Sequence, residues 1–273
     1  MGVVRQCRTC GVEYDAGDLP AVCPICVDER QYLAEDGRQH WVDPTEFEGR
    51  IDVIEREPGL ISLVVEDAPG IGQHTMIVVT DAGNAMVEPP AAITEGAVAA
   101  VRALGPLRAI IASHPHMYGL QSMWARELDA EVFISSADRQ WLGAQPDRVR
   151  FWDGQTDLLP GVVASQPGGH FPGSAVVHWG GADGRGVLLS GDTALVNPDG
   201  ATLSFMRSFP NHIPLSAAVV ERIAGHLERY AFDRMYDNFG HSIRAQAQAA
   251  VRASAARHAG WARGDFDHLT GPG

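Results

Sequence analysis

Apolar residues along this chain fall into short runs broken by turn residues, and from about residue 51 the runs alternate between two periods. β-Branched runs at 60–65, 75–80 and 84–87 predict strands, with Gly83-Asn84 as a turn between the last two. Thr94 is placed to cap a helix carrying Val98, Val101 and Leu104 on one face, and Gly105-Pro106 stops it. Further strands are predicted at 107–112, 131–135, 161–165, 175–179, 186–190 and 234–236. A short helix is predicted at 122–128, another opened by Ser216 with Val219, Val220, Ile223 and Leu227 inward, and an alanine-rich one over 244–262. Strands mixed with intervening helices imply an α/β domain with helices covering sheet faces. Residues 28–50 are charged and mixed, and read as a connection docked by Trp41 and Phe47.

Composition narrows the partners. The 273 residues are 45% hydrophobic, enough for one large core with a small appendage. The formal charge is 21 − 34 = −13, which argues against nucleic acid or an anionic membrane surface as partner and leaves a small molecule. All 21 basic residues are arginine, so lysine-dependent chemistry is excluded, including phosphate-loop NTPases and Schiff-base enzymes. The first ten residues hold no apolar run of a signal peptide, and no stretch approaches the roughly 18 apolar residues of a membrane span. Four cysteines in such a chain point to a reducing, cytoplasmic compartment, where thiols bind metal more often than they pair.

All four cysteines fall near the start, as Cys7-Arg-Thr-Cys10-Gly11 and Cys23-Pro24-Ile25-Cys26, with twelve residues between the pairs. Each C-x-x-C turn presents two thiolates on one side, and two turns complete a tetrahedral four-sulfur shell for zinc or iron. The pattern resembles the rubredoxin-like knuckles of zinc ribbons and rubrerythrin-type iron proteins, through Gly11 and Pro24. Val27 stands where a rubredoxin usually has glycine, which favours structural zinc. Residues 1–40 are expected to form this zinc-ribbon-like module, and 41–273 the main domain.

The second signal is Ser113-His114-Pro115-His116-Met117-Tyr118-Gly119, directly after a predicted strand. In an extended segment, residues two apart point the same way, so His114 and His116 can grip one ion. His170, Asp192 and His241 each follow another predicted strand, and loops at carboxyl ends of neighbouring strands converge on one sheet edge. There is no G-x-S-x-G elbow, and the dinucleotide fingerprint at Gly70-Ile71-Gly72 is incomplete.

From about residue 51 to 262 this order resembles the metallo-β-lactamase fold superfamily: a β-rich start, the H-x-H loop, a later histidine, Gly-Asp, a helix and a last histidine. The resemblance implies an αββα sandwich with metal at one edge. It implies His114, His116 and His170 as a three-histidine site, Asp192 as a carboxylate bridging to a second ion, and His241 as that ion's histidine. The family's H-x-H-x-D-H motif is not kept, because Tyr118 and Gly119 occupy its aspartate and final histidine positions. The second ion is therefore expected to be weakly held or absent. Three imidazoles with an open position form a catalytic type of zinc or iron site. The expectation is a hydrolase of an ester, lactone, thioester or phosphoester, using water activated by the ion. Asp192 is the candidate proton acceptor, Tyr118 a candidate oxyanion donor, and His212 a candidate substrate contact. Two alternatives stand beside it: an iron-dependent oxidoreductase, and a non-catalytic metal-binding protein.

Overall fold

The computed structural model describes residues 4–47 and 49–271. A small sheet opens the chain, with β1 (Val4–Cys7) between β2 (Glu13–Asp15) and β3 (Trp41–Val42). Seven strands then build the first large sheet: β4 (Ile51–Glu57), β5 (Leu60–Val65), β6 (Thr75–Thr80), β7 (Gly83–Val87), β8 (Leu107–Ile111), β9 (Glu131–Ser135) and β10 (Val149–Trp152). They lie in simple sequence order, antiparallel from β4 to β7 and parallel from β7 to β10. The second large sheet runs β11 (Gln155–Leu159), β12 (Val162–Ser165), β13 (Val176–Trp179) and β14 (Val187–Leu189), then the strands Arg234–Tyr236 and Ser242–Ile243.

Side-chain alternation explains the layering. In β6, Met76 and Val78 enter a core shared with Leu159, Val162 and Val187 of the other sheet. Ile77 faces the opposite way, into a core with Val101 and Trp124 of α1 (Glu95–Ala103) and α2 (Gln121–Leu128). In β13, Val177 turns to the inter-sheet core, whereas Val176 meets Val220 and Val251 of α3 (Ala217–Leu227) and α4 (Ala247–Arg263). Two sheets back to back, each with helices outside, make the expected αββα sandwich.

The predicted strands and helices form, with small shifts at their ends. Thr94 caps α1 by accepting from the Ala97 N–H at 3.2 Å. Ser216 precedes α3 without a side-chain cap bond. The last helix begins at Ala247 rather than 244, because Gln246 turns left-handed at φ +57° and donates its N–H to Asp233. Strands β4, β10 and β11 carry no clean alternation in sequence; β4 is an edge strand with Val53, Ile54 and Glu55 exposed.

The cysteine segment is not set apart from this body. Cys7, Cys10, Cys23, Cys26, Val12 and Ile25 share one buried cluster with Met86, Ile110 and Trp124. Backbone bonds join them too: Glu13 N donates to Gly119 O at 3.1 Å, and Asp15 N to Gly143 O at 3.1 Å. Glu13 also caps α2 from outside, its buried carboxylate accepting the Ser122 N–H at the helix N-terminus. Among the described residues, no helix is long and apolar enough to cross a membrane.

Candidate metal centres

The four cysteine sulfurs converge. Cys7 Sγ lies 3.6 Å from Cys26 Sγ and Cys10 Sγ 3.7 Å from Cys23 Sγ, far beyond a disulfide bond. A tetrahedral shell with zinc–sulfur bonds of ~2.3 Å has an edge of about 3.8 Å, so these spacings fit an ion at the centre. All four cysteines are buried, and Gln39 Nε2 donates to Cys7 Sγ at 3.3 Å. Tyr14 Oη lies 3.2 Å from Cys23 Sγ. Donors aimed at sulfur suit thiolates rather than thiols.

The second group assembles where the carboxyl ends of the strands meet. His114 and His116 follow β8, His170 follows β12, and Asp192 follows β14. Their ligand atoms all lie within 4.8 Å of one another. Asp192 Oδ2 stands 3.6 Å from His114 Nε2 and 3.7 Å from His170 Nε2, and His170 Nε2 is 3.3 Å from His116 Nδ1. The H-x-H pair converges differently from the expectation. His114 is extended, but Pro115–Met117 is a 3-10 turn, so His116 reaches the centre by chain reversal rather than strand alternation.

Neighbouring groups fix these rings. Ser113 Oγ lies 2.8 Å from His114 Nδ1, and His170 Nδ1–H donates to the Met206 carbonyl at 3.2 Å, leaving Nε2 free as a lone-pair donor. Burial holds all three imidazoles neutral: His114 and His116 lie well below their usual 6.5, and His170 falls to about 4. Burial also pushes Asp192 up to about 7. His114 Nε2, His116 Nε2 and Asp192 Oδ1 are buried without hydrogen-bond partners. Neutral imidazoles, a desolvated carboxylate and unpartnered atoms at one point are the environment that a divalent cation satisfies.

The other expected residues stand elsewhere. Tyr118 is buried in the core under α2, and its hydroxyl donates to the Asp138 carbonyl at 3.2 Å. His241 is half exposed and pairs through Nδ1 with Asp237 Oδ2 at 3.1 Å, outside the four-residue group. His212 is exposed on its loop, while Phe209 and Pro210 of the same loop line the cavity beside the site. Gly119 adopts φ +50°, and a Cβ there would come within 2.3 Å of the Pro89 carbonyl oxygen.

Three contributors carry no mark in the sequence reading. Glu88, at the carboxyl end of β7, accepts from the Ser113 N–H at 2.9 Å and so braces the H-x-H loop; burial pushes it up to about 8. Glu88, like Asp192, stands just past the carboxyl end of a strand. Asn238 is buried beside Asp192, whose charged form it favours by hydrogen bonding, and its Nδ2 lies 3.0 Å from Met117 Sδ. Arg30, just after the last cysteine, donates to the His170 carbonyl at 3.3 Å and stacks 3.7 Å above the Phe171 ring.

Over 259 residues the chain is 36% identical to the uncharacterized protein YmaE of Bacillus subtilis (strain 168), covering 92% of this chain and 94% of that protein. Among solved structures it resembles the metallo-β-lactamase DIM-1, with a TM-score of 0.59 at 14% identity over 80% of this chain and 100% of that one. The structure of VMB-1 gives 0.59 at 13% identity, over 78% of this chain and 98% of that one. No protein-family model matches the sequence. At such identities the likeness shows the fold, which is that of the metallo-β-lactamases.

Proposed function

The chain belongs to the same protein family as YmaE and has the metallo-β-lactamase fold, and from the donors that this fold assembles we propose a metal-dependent hydrolase. His114, His116, His170 and Asp192 would hold one catalytic zinc or iron ion, and the four cysteines a structural zinc. The observation that carries this reading is the convergence of three neutral imidazoles and a buried carboxylate, with unpartnered ligand atoms, beside a cavity. When bound there, such an ion polarises a carbonyl or phosphoryl oxygen and lowers the pKa of water.

The chain's own groups divide the remaining work. Ser113 and the Met206 carbonyl orient two rings, and Glu88 holds the loop that carries them. Asp192 offers Oδ2 toward the imidazoles, and its unpartnered Oδ1 is the acceptor for a proton from the attacking water. Ile71, Phe209 and Phe239 keep the cavity apolar and limit the water that reaches it. The four cysteines, none of them in a disulfide, fit a reducing, cytoplasmic setting.

The test is hydrolysis of p-nitrophenyl esters and a lactone by metal-replete protein, its chelated form and the His116→Ala variant. The reading expects kcat/KM to fall at least about 100-fold, some 2.7 kcal/mol, on chelation and in the variant. Equal activity in all three would defeat it.

A further inference from the structure

The histidine group borders a cavity of about 130 Å³, and Arg30, Gln31 and Tyr32 of its lining come from the cysteine segment. This stretch is fastened across the site. Ser208 Oγ donates to the Arg30 carbonyl at 3.1 Å, and Asn211 Nδ2 to the carbonyls of Glu29 at 2.9 Å and Gln31 at 3.2 Å. Arg207 pairs with Glu29 at 2.6 Å. Gln31 is buried, whereas Tyr32 is half exposed.

Charge decides what such a wall admits. Arg30 is the one cation lining the cavity among the described residues. Its Nε and Nη2 pair with Asp28 at 2.5 and 2.8 Å, its Nη1 serves the His170 carbonyl, and its face covers Phe171. That guanidinium is already neutralised and is not presented to a ligand. Asp192 adds an acidic group, and the net charge of −13 disfavours anions at longer range. Ile71, Phe209, Pro210 and Phe239 complete an apolar lining. An anionic group placed there loses water without gaining a cation beyond the bound ion.

We propose that residues 30–32 form the specificity wall of the histidine site, and that this site takes a small, uncharged acyl compound with an apolar substituent rather than an anionic phosphoester. This rests on the metal-dependent reading above and deepens it. Arg30 is a positioning residue that holds the wall; Gln31 and Tyr32 are the groups that meet the ligand.

The test compares two probes that share a metal-binding head and differ in the tail: butyrohydroxamate, uncharged at neutral pH, and the monohydroxamate of succinate, whose tail is anionic. Calorimetry on metal-replete full-length protein is expected to give at least about tenfold tighter binding of butyrohydroxamate. Gln31→Ala and Tyr32→Ala are expected to weaken it several-fold with metal content retained, and Tyr32→Ala, at a half-exposed residue, also keeps the wild-type melting temperature. Equal or tighter binding of the succinate probe overturns the proposal, as does wild-type affinity in both variants. Turnover separates the two readings. Absence of ester hydrolysis with the binding preference intact removes the hydrolase and leaves the wall. Faster hydrolysis of bis(p-nitrophenyl) phosphate than of neutral esters keeps the hydrolase and overturns the wall.

Discussion

Gly119 packs against Pro89 so closely that a Cβ on the glycine would stand 2.3 Å from the proline carbonyl oxygen, and 3.0 Å from that of Pro90. Gly119 also sits at φ +50° and accepts the Glu13 N–H, so strand β2 lies over its carbonyl. The position where the related motif carries a metal-binding histidine is thus closed to any side chain. The departure from H-x-H-x-D-H is built into the backbone here, and the neighbouring Tyr118 is committed to the Asp138 carbonyl.

Introducing the motif's final histidine by Gly119→His, with Tyr118 kept, is therefore expected to destabilise the protein by about 3 kcal/mol, from backbone strain and overpacking together. For a chain of this size that lowers the melting temperature by roughly 6–12 °C. Thermal melts check it, with metal content as the companion readout, which is expected not to rise.

Removing one thiolate by Cys23→Ser is expected to act beyond the cysteine site. Cys23 is fully buried, its N–H is held by Gln39, and its cluster is continuous with α2 and the first sheet. Loss of that ion should lower the melting temperature by more than about 5 °C. It should also weaken butyrohydroxamate, because residues 30–32 hang from the same segment. A melt and a titration on the variant decide this.

Away from the metal sites, His178 and His226 both bond Ser165 Oγ, and His178 stacks on Tyr230 with ring centres 3.6 Å apart. Burial lowers His178 to about 3, from an ordinary 6.5. The folded pKa is depressed, so the stability contributed by this group is fully present above about 6.5. It is lost as pH falls toward 3, because only the unfolded chain takes up the proton in that window. The folding constant should fall about tenfold per pH unit from this residue. Denaturant titrations of wild type and His178→Gln between those limits should differ in slope by one proton; identical slopes would contradict the assignment.

Much of this was legible in the sequence because period-2 runs and turn residues are local. The strands β5, β6 and β9 and the cap at Thr94 follow from neighbours a few residues away. Each of His114, His116, His170 and Asp192 was legible as a residue following a strand, but their convergence joins β8 of the first sheet to β12 and β14 of the second, which a rule of neighbouring strands does not supply. The rest depends on contacts far apart in sequence. Arg30 reaches the His170 carbonyl across 140 residues, and Glu13 caps a helix 109 residues away. No spacing rule carries such pairs. His241 follows a strand as the four grouped residues do, yet the turn held by Asp237, which accepts the N–H groups of Phe239 and His241, gives its ring to Asp237 instead.

One ion at the histidine group and one at the cysteine group underlie the proposed function. Elemental analysis of protein purified without added metal tests it most directly, with the His114→Ala/His116→Ala double variant measured alongside. Two ions per chain are expected in the wild type and one in the variant, the cysteine ion remaining. Three ions in the wild type, or the same content in both proteins, would contradict it.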